Sequence, residues 1–165
     1  MYRDYICRII ERVVQAIARV MLHREAGQPE LAMHEILRSL HQYLGLELSQ
    51  WAGASTDELF RMLTRDEAPL VARDKCLAFA ALNFQAGLIY QDRGAINLAQ
   101  PAFHLALLFT LRGLMEFPLE DLPRITPDVN DLRGRLQGYP LPLETERRLE
   151  EWMNEGQRSS PWMCQ

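Results

Sequence analysis

Lysine is nearly missing from this chain: Lys75 is the only one among 18 basic residues, the others being arginine, a bias of composition that leaves the charge unchanged. Cysteine is scarce too. Cys7, Cys76 and Cys164 are odd in number and lack CxxC spacing, which excludes a disulfide-rich framework and favours free thiols over a disulfide. Cys7 and Cys76 stand among apolar neighbours and read as free, buried thiols of a reducing compartment. No uninterrupted apolar run approaches the ~20 residues that cross a bilayer. The opening residues, Met1 to Tyr5, lack the apolar stretch and cleavage site of a signal peptide, so the expected address is the cytoplasm, with no membrane partner. An excess of positive charge is absent as well. With 22 acidic residues the net charge is -4, and no general field exists to hold a nucleic-acid backbone. Sustained period-two alternation of β-branched residues appears nowhere, so no strand is expected.

What is present is helical periodicity in 165 residues, the size of one domain or one domain with a short appendage. From Asp4 to Ala26 there is no Gly or Pro, and Ile6, Ile9, Ile10, Val13, Val14, Ile17, Val20 and Met21 recur at steps of three and four. The polar stripe of this helix is narrow, so its apolar arc exceeds what one neighbour covers and calls for two neighbours or a second subunit. Gly27 and Pro29 then mark a helix end and a helix start, and Pro29 to Leu44 forms the antiparallel partner, with Leu31 or Ala32, Ile36, Leu37, Leu40 and Leu44 inward. Gly45 to Ala54 reads as loop. Ser55 and Glu58 form a capping box for a short helix to Thr64. Leu70 to Arg93 contains no breaker except Gly87, and its Ala-rich centre favours helix over buried strand.

A further helix runs from Ala95 to Met115, either starting late with Asn97 and Gln100 as its cap pair or kinked at Pro101. Phe117 to Thr126 reads as irregular. Thr126 serves as the cap of a helix that Pro127 opens and that ends near Leu136, and Leu143 to Glu155 forms the last one, with Leu149 and Trp152 inward. The expectation is an all-α fold of about seven helices: residues 1–116 a helical-hairpin domain, 117–155 a C-terminal helical extension, and 156–165 a frayed tail.

The turn glycines expose an internal repeat. Ala32, Ile36 and Leu40 follow Gly27 at the same offsets as Ala99, Phe103 and Leu107 follow Gly94, and the two glycines lie 67 residues apart, close to two units of about 34. From Ala80 to Leu111 the chain resembles the tetratricopeptide repeat, with Gly87, Tyr90, Gly94, Ala99, Phe103 and Ala106 at the pattern's spacing. Asn83 stands where that pattern has Trp, Ala86 where it has Leu, and the closing Pro is missing. The first hairpin keeps only the turn and its second helix, with Ser39 where Ala is usual. A third half-unit begins at Glu144 and the final hairpin looks cut short. The opening Asp4 to Glu11 and the later Tyr139 to Thr145 also resemble a bacterial family of tetratricopeptide-like proteins of unknown function, a resemblance that implies the fold and no activity. In such arrays the first helix of each unit lines the peptide groove. That places Ala81, Phe84, Leu88, Gln91 and Asp92 there, with Phe84, Leu88, Gln91 and Asp92 as the candidate partner-binding residues. The Lys and Asn residues of a carboxylate clamp are not found at these positions. Phe84 and Leu88 are either covered by the Ile/Val-rich first helix or form a dry groove for an apolar ligand or partner helix.

Catalytic and metal signatures fail on inspection. His34 and Glu35 begin an HExxH-like stretch, but Arg38 stands where the second ligand belongs, and a guanidinium cannot coordinate zinc. His34 and His41 lie two helical turns apart, about 10 Å, too far to share an ion, and read as surface residues. His23 and His104 are isolated. No nucleophile elbow or phosphate-cradling loop occurs, and Cys7 and Cys76 have no adjacent His. The acidic and basic residues between Glu144 and Glu155 read as a solvated, salt-bridged face. Residues 116–165 hold ten acidic and six basic residues, so all net charge resides in the last third, read as solubility before interaction. The resulting expectation is a non-enzymatic scaffold with no cofactor or metal, acting through protein contact and including a homodimer through the first helix. The alternative is a small-molecule or sensory domain with an apolar pocket of about 300 Å³ or more between the first helix and the Phe84/Leu88 face.

Overall fold

The computed structural model describes residues 2–158, in which eight helices account for the regular structure and no strand occurs among the described residues. The helices are α1 (Tyr2–Glu25), α2 (Pro29–Leu44), α3 (Leu48–Trp51), α4 (Thr56–Thr64), α5 (Pro69–Asp92), α6 (Ile96–Met115), α7 (Val129–Arg135) and α8 (Leu143–Arg158). The eighth is α3, a single turn inside the expected Gly45 to Ala54 loop, where neither periodicity nor a side-chain cap announces it. Its four residues are too few to show a helical period.

Local chemistry sets most ends. Gly27 and Gly94 both adopt φ near +70°, closing α1 and α5 in the left-handed conformation that glycine takes without steric cost. Ser55 accepts from the Glu58 amide and the Glu58 carboxylate accepts from the Ser55 amide, completing the capping box of α4. One cap falls differently from the sequence reading. Asp128, not Thr126, caps α7, its carboxylate accepting from the Asp131 amide, while the Thr126 hydroxyl donates backwards to the Pro123 carbonyl. A carboxylate at a helix N-terminus also meets the helix dipole, which a hydroxyl does not match. Pro101 sits within α6, which has no side-chain cap, so the late start at Asn97 is not used. The helix α8 extends through Arg158, three residues into the expected tail. Residues 159–165, with Cys164, lie outside the described part.

Two apolar clusters divide the interior. The first joins α1 and α2 to α4 and α5 through Val13, Val20, Ile36, Leu40, Leu63 and Phe79. The second joins α6 to α7 and α8 through Phe103, Leu107, Leu111, Leu132 and Leu149. Helices α5 and α6 pack against each other most extensively and lie at the centre. Their approach is close because Gly87 faces the Phe103 ring: a Cβ there would lie 2.4 Å from Phe103 Cε1. By length and composition α6 alone, among the described helices, is apolar enough to cross a membrane, and 67% of its most apolar window is buried within the protein.

Helix α1 does touch two neighbours, α2 and α5. Ile6, Ile9, Val13, Ala16 and Val20 form its buried stripe. A second stripe at the same three-and-four spacing, Cys7, Ile10, Val14, Ile17 and Met21, is only partly covered. Val14 and Met21 remain 43% and 47% exposed. Cys7 is therefore exposed, against the expectation of a buried thiol: it belongs to the second stripe, one residue round from buried Ile6. Cys76 is buried as expected, and burial pushes its thiol up to about 12.

Candidate functional site

A cleft of about 370 Å³ opens between α1, α5 and the connector that leads from α6 into α7. Ile17 of α1 forms one wall, and Ala81, Phe84 and Gln85 of α5 form the floor. Arg124 to Asp128 and Asp131 close the far side. The connector is held in place by a buried arginine. Arg73, 2% exposed, donates from Nη1 to the carbonyls of Pro118 and Glu120, both at 2.6 Å, and from Nη2 to that of Asp121 at 3.2 Å. Its Nε donates to Asp74 at 2.8 Å, and burial raises the Asp74 carboxyl above its ordinary range while Arg73 opposes that rise. Three carbonyls and one carboxylate thus satisfy a guanidinium that water cannot reach.

The residues that the sequence places in a groove are separated by the fold. Phe84 lies half-buried at the cleft, its ring 5.9 Å from that of Phe103, with the Arg135 guanidinium 5.4 Å above it. Leu88 is half-buried against the α6, α7 and α8 cluster rather than under α1. Gln91 is exposed and accepts from Arg135 Nη1 at 2.9 Å, and Asp92 accepts from Arg24 of α1 at 2.9 Å. Of the four, Phe84 alone lines the cleft, together with Ala81. Phe84 and Leu88, four residues apart on one face of α5, both turn toward the second cluster, which α7 and α8 complete from sequence more than forty residues away.

Gln85 is the residue that sequence reasoning missed. It is 8% exposed, lines the cleft, and its Oε1 is buried without a hydrogen-bond partner among the described residues. A signal existed: among Ala81, Leu82, Leu88 and Ile89, its neighbours at helical spacing, none offers a polar partner. The charges around it nearly cancel. Asp128 is the α7 cap, Asp131 is paired with Arg135 at 3.1 Å, and Arg124 is exposed with no ion pair among the described residues.

Elsewhere, His34 and His41 are exposed, and Glu35, beside His34, is buried and paired with Arg19 at 2.7 Å. His104 is 8% exposed, and its Nε2 lies 2.8 Å from the hydroxyl of fully buried Thr145, which docks α8 on α6. Burial lowers the His104 pKa from 6.5, and Glu144 opposes the shift. Arg112 stands 3.5 Å over the Phe60 ring, pairs with Asp57 and Glu116, and through Glu116 meets Arg148 of α8. Among the described residues no group of three His, Cys, Asp or Glu is placed to hold a metal ion. No protein-family model, curated protein or solved structure matches the chain.

Proposed function

We propose that this protein is a non-enzymatic helical scaffold of the tetratricopeptide type that works through protein contact, first of all with a second copy of itself through α1. One observation carries the reading. The stripe Cys7, Ile10, Val14, Ile17 and Met21 holds no charge over four turns, repeats at the three-and-four spacing of a helix–helix seam, and is left partly open after α2 and α5 have packed. A seam of that kind fits another of the same kind, and pairing across a twofold axis covers both at once. Glu11 and Glu25 run along its outer edge without ion pairs among the described residues, leaving them available at the rim of an interface.

Sedimentation equilibrium tests this directly. The wild-type chain is expected to dimerise at micromolar concentration. Val14→Glu is expected to remain monomeric with an unchanged melting temperature, because Val14 contributes little to the folded core of one copy. A wild-type monomer throughout the micromolar range, or a Val14→Glu variant that still dimerises, overturns the proposal.

A further inference from the structure

We infer that the cleft between α1, α5 and the connector binds a neutral, flat, apolar group carrying a single N–H or O–H donor, of the indole or phenol type, with Gln85 as its hydrogen-bonding residue. Three observations converge on that chemistry. The volume of about 370 Å³ falls in the range of small-molecule sites, and Ile17, Phe84, Ile125 and Pro127 give it apolar walls. The formal charges at its edge sum to zero: Asp131 is paired with Arg135, and Arg124 and Asp128 carry one charge of each sign, so no net charge selects an ion there. The Gln85 oxygen is a buried acceptor that finds no donor among the described residues.

The last point has the most force. A buried acceptor without a partner weakens folding, whereas an apolar side chain of similar shape is neutral or better. Gln85 is thus a poor choice for this position on stability grounds alone. A ligand that donates to it supplies the missing bond. A ring with one donor edge and an apolar remainder satisfies the oxygen and leaves nothing unpaired among the apolar walls. The group is either a free small molecule or an aromatic side chain presented by a peptide.

Titration of the isotope-labelled chain by NMR, with indole and with 1-methylindole, tests the inference. Indole is expected to give saturable shifts at Ile17, Phe84 and Gln85, and 1-methylindole, which lacks the donor, to bind about fivefold more weakly, the worth of one neutral hydrogen bond. Gln85→Met is expected to be at least as stable as the wild type and to bind the two compounds equally. N-acetyltryptophanamide in a third arm separates the sources: tighter binding than indole identifies a peptide side chain, and weaker binding a free molecule. The absence of saturable shifts at these residues overturns the inference, as does equal binding of indole and 1-methylindole by the wild type, or a donor preference that survives Gln85→Met. Ile17 belongs to both the α1 seam and the cleft wall, so the titration is repeated on monomeric Val14→Glu, where the donor preference is expected at Phe84 and Gln85 whether or not the wild type self-associates, and failure of self-association and failure of this site are read separately.

Discussion

At Gly87 the absent side chain is what lets α5 and α6 meet, because the Phe103 ring occupies the space a methyl group would need. Alanine is ordinarily the better helix residue, by about 1 kcal/mol. Here overpacking against a rigid ring opposes that gain, so Gly87→Ala is expected to lose about 1–3 kcal/mol in urea unfolding. Beyond its own helix backbone, Gly134 in α7 meets nothing within 4 Å of its would-be Cβ among the described residues. Gly134→Ala is therefore expected to be neutral or stabilising by up to about 1 kcal/mol, and a loss as large as that of Gly87→Ala would refute the packing argument. The spacing of Gly87, Tyr90, Ala99 and Phe103 made this contact legible in the sequence. For Gln85 the sequence showed only that its helical neighbours Ala81, Leu82, Leu88 and Ile89 are apolar; the cleft beside it is a property of the surroundings, and no residue type implies one.

Among the elements, the 117–128 connector depends most on a contact distant in sequence. It is irregular, as its three prolines foretell, yet Arg73 reaches from α5 to three of its carbonyls. Nothing in the sequence singled out Arg73 from sixteen other arginines, because its role comes from burial and not from spacing. Arg73→Met removes the donors and strands the Asp74 carboxylate in the interior. The expected cost is about 3–5 kcal/mol, with faster amide exchange across residues 118–125. Arg73→Met with Asp74→Leu is expected to recover part of the stability while exchange in the connector stays fast, since the carbonyls still lack donors. Protection of the connector in either variant would show that Arg73 does not hold it. In α1, by contrast, the sequence displayed both apolar stripes, and it was the fold that chose which one to bury.

Across the whole molecule, α8 closes the second cluster and docks through the buried His104–Thr145 contact. Burial keeps the folded-state pKa of His104 below 6.5, so an unfolded chain takes up the proton first as the pH falls. This contribution to stability is therefore complete above pH 6.5 and is lost below it, down to the folded-state pKa. Urea unfolding at neutral and mildly acidic pH is expected to show the wild type losing more stability on acidification than His104→Gln. Equal losses would remove His104 as the cause. The acidic C-terminal third also reads differently once folded: Glu116 and Glu144 lie beside Arg148, and Arg112 and Arg148 share Glu116, so part of that charge ties α8 to α6.

Helical class, the long helices and most of their ends follow from the sequence alone. Each of these depends on residues within a few positions of one another: apolar steps of three and four, a capping serine, a left-handed glycine. Tertiary structure decided which apolar stripe of α1 stays open, which arginine is buried, and that Gln85 faces a cleft without a donor. Those outcomes depend on surfaces brought together from distant parts of the chain, and no local pattern encodes which of several equally apolar faces a neighbour will cover.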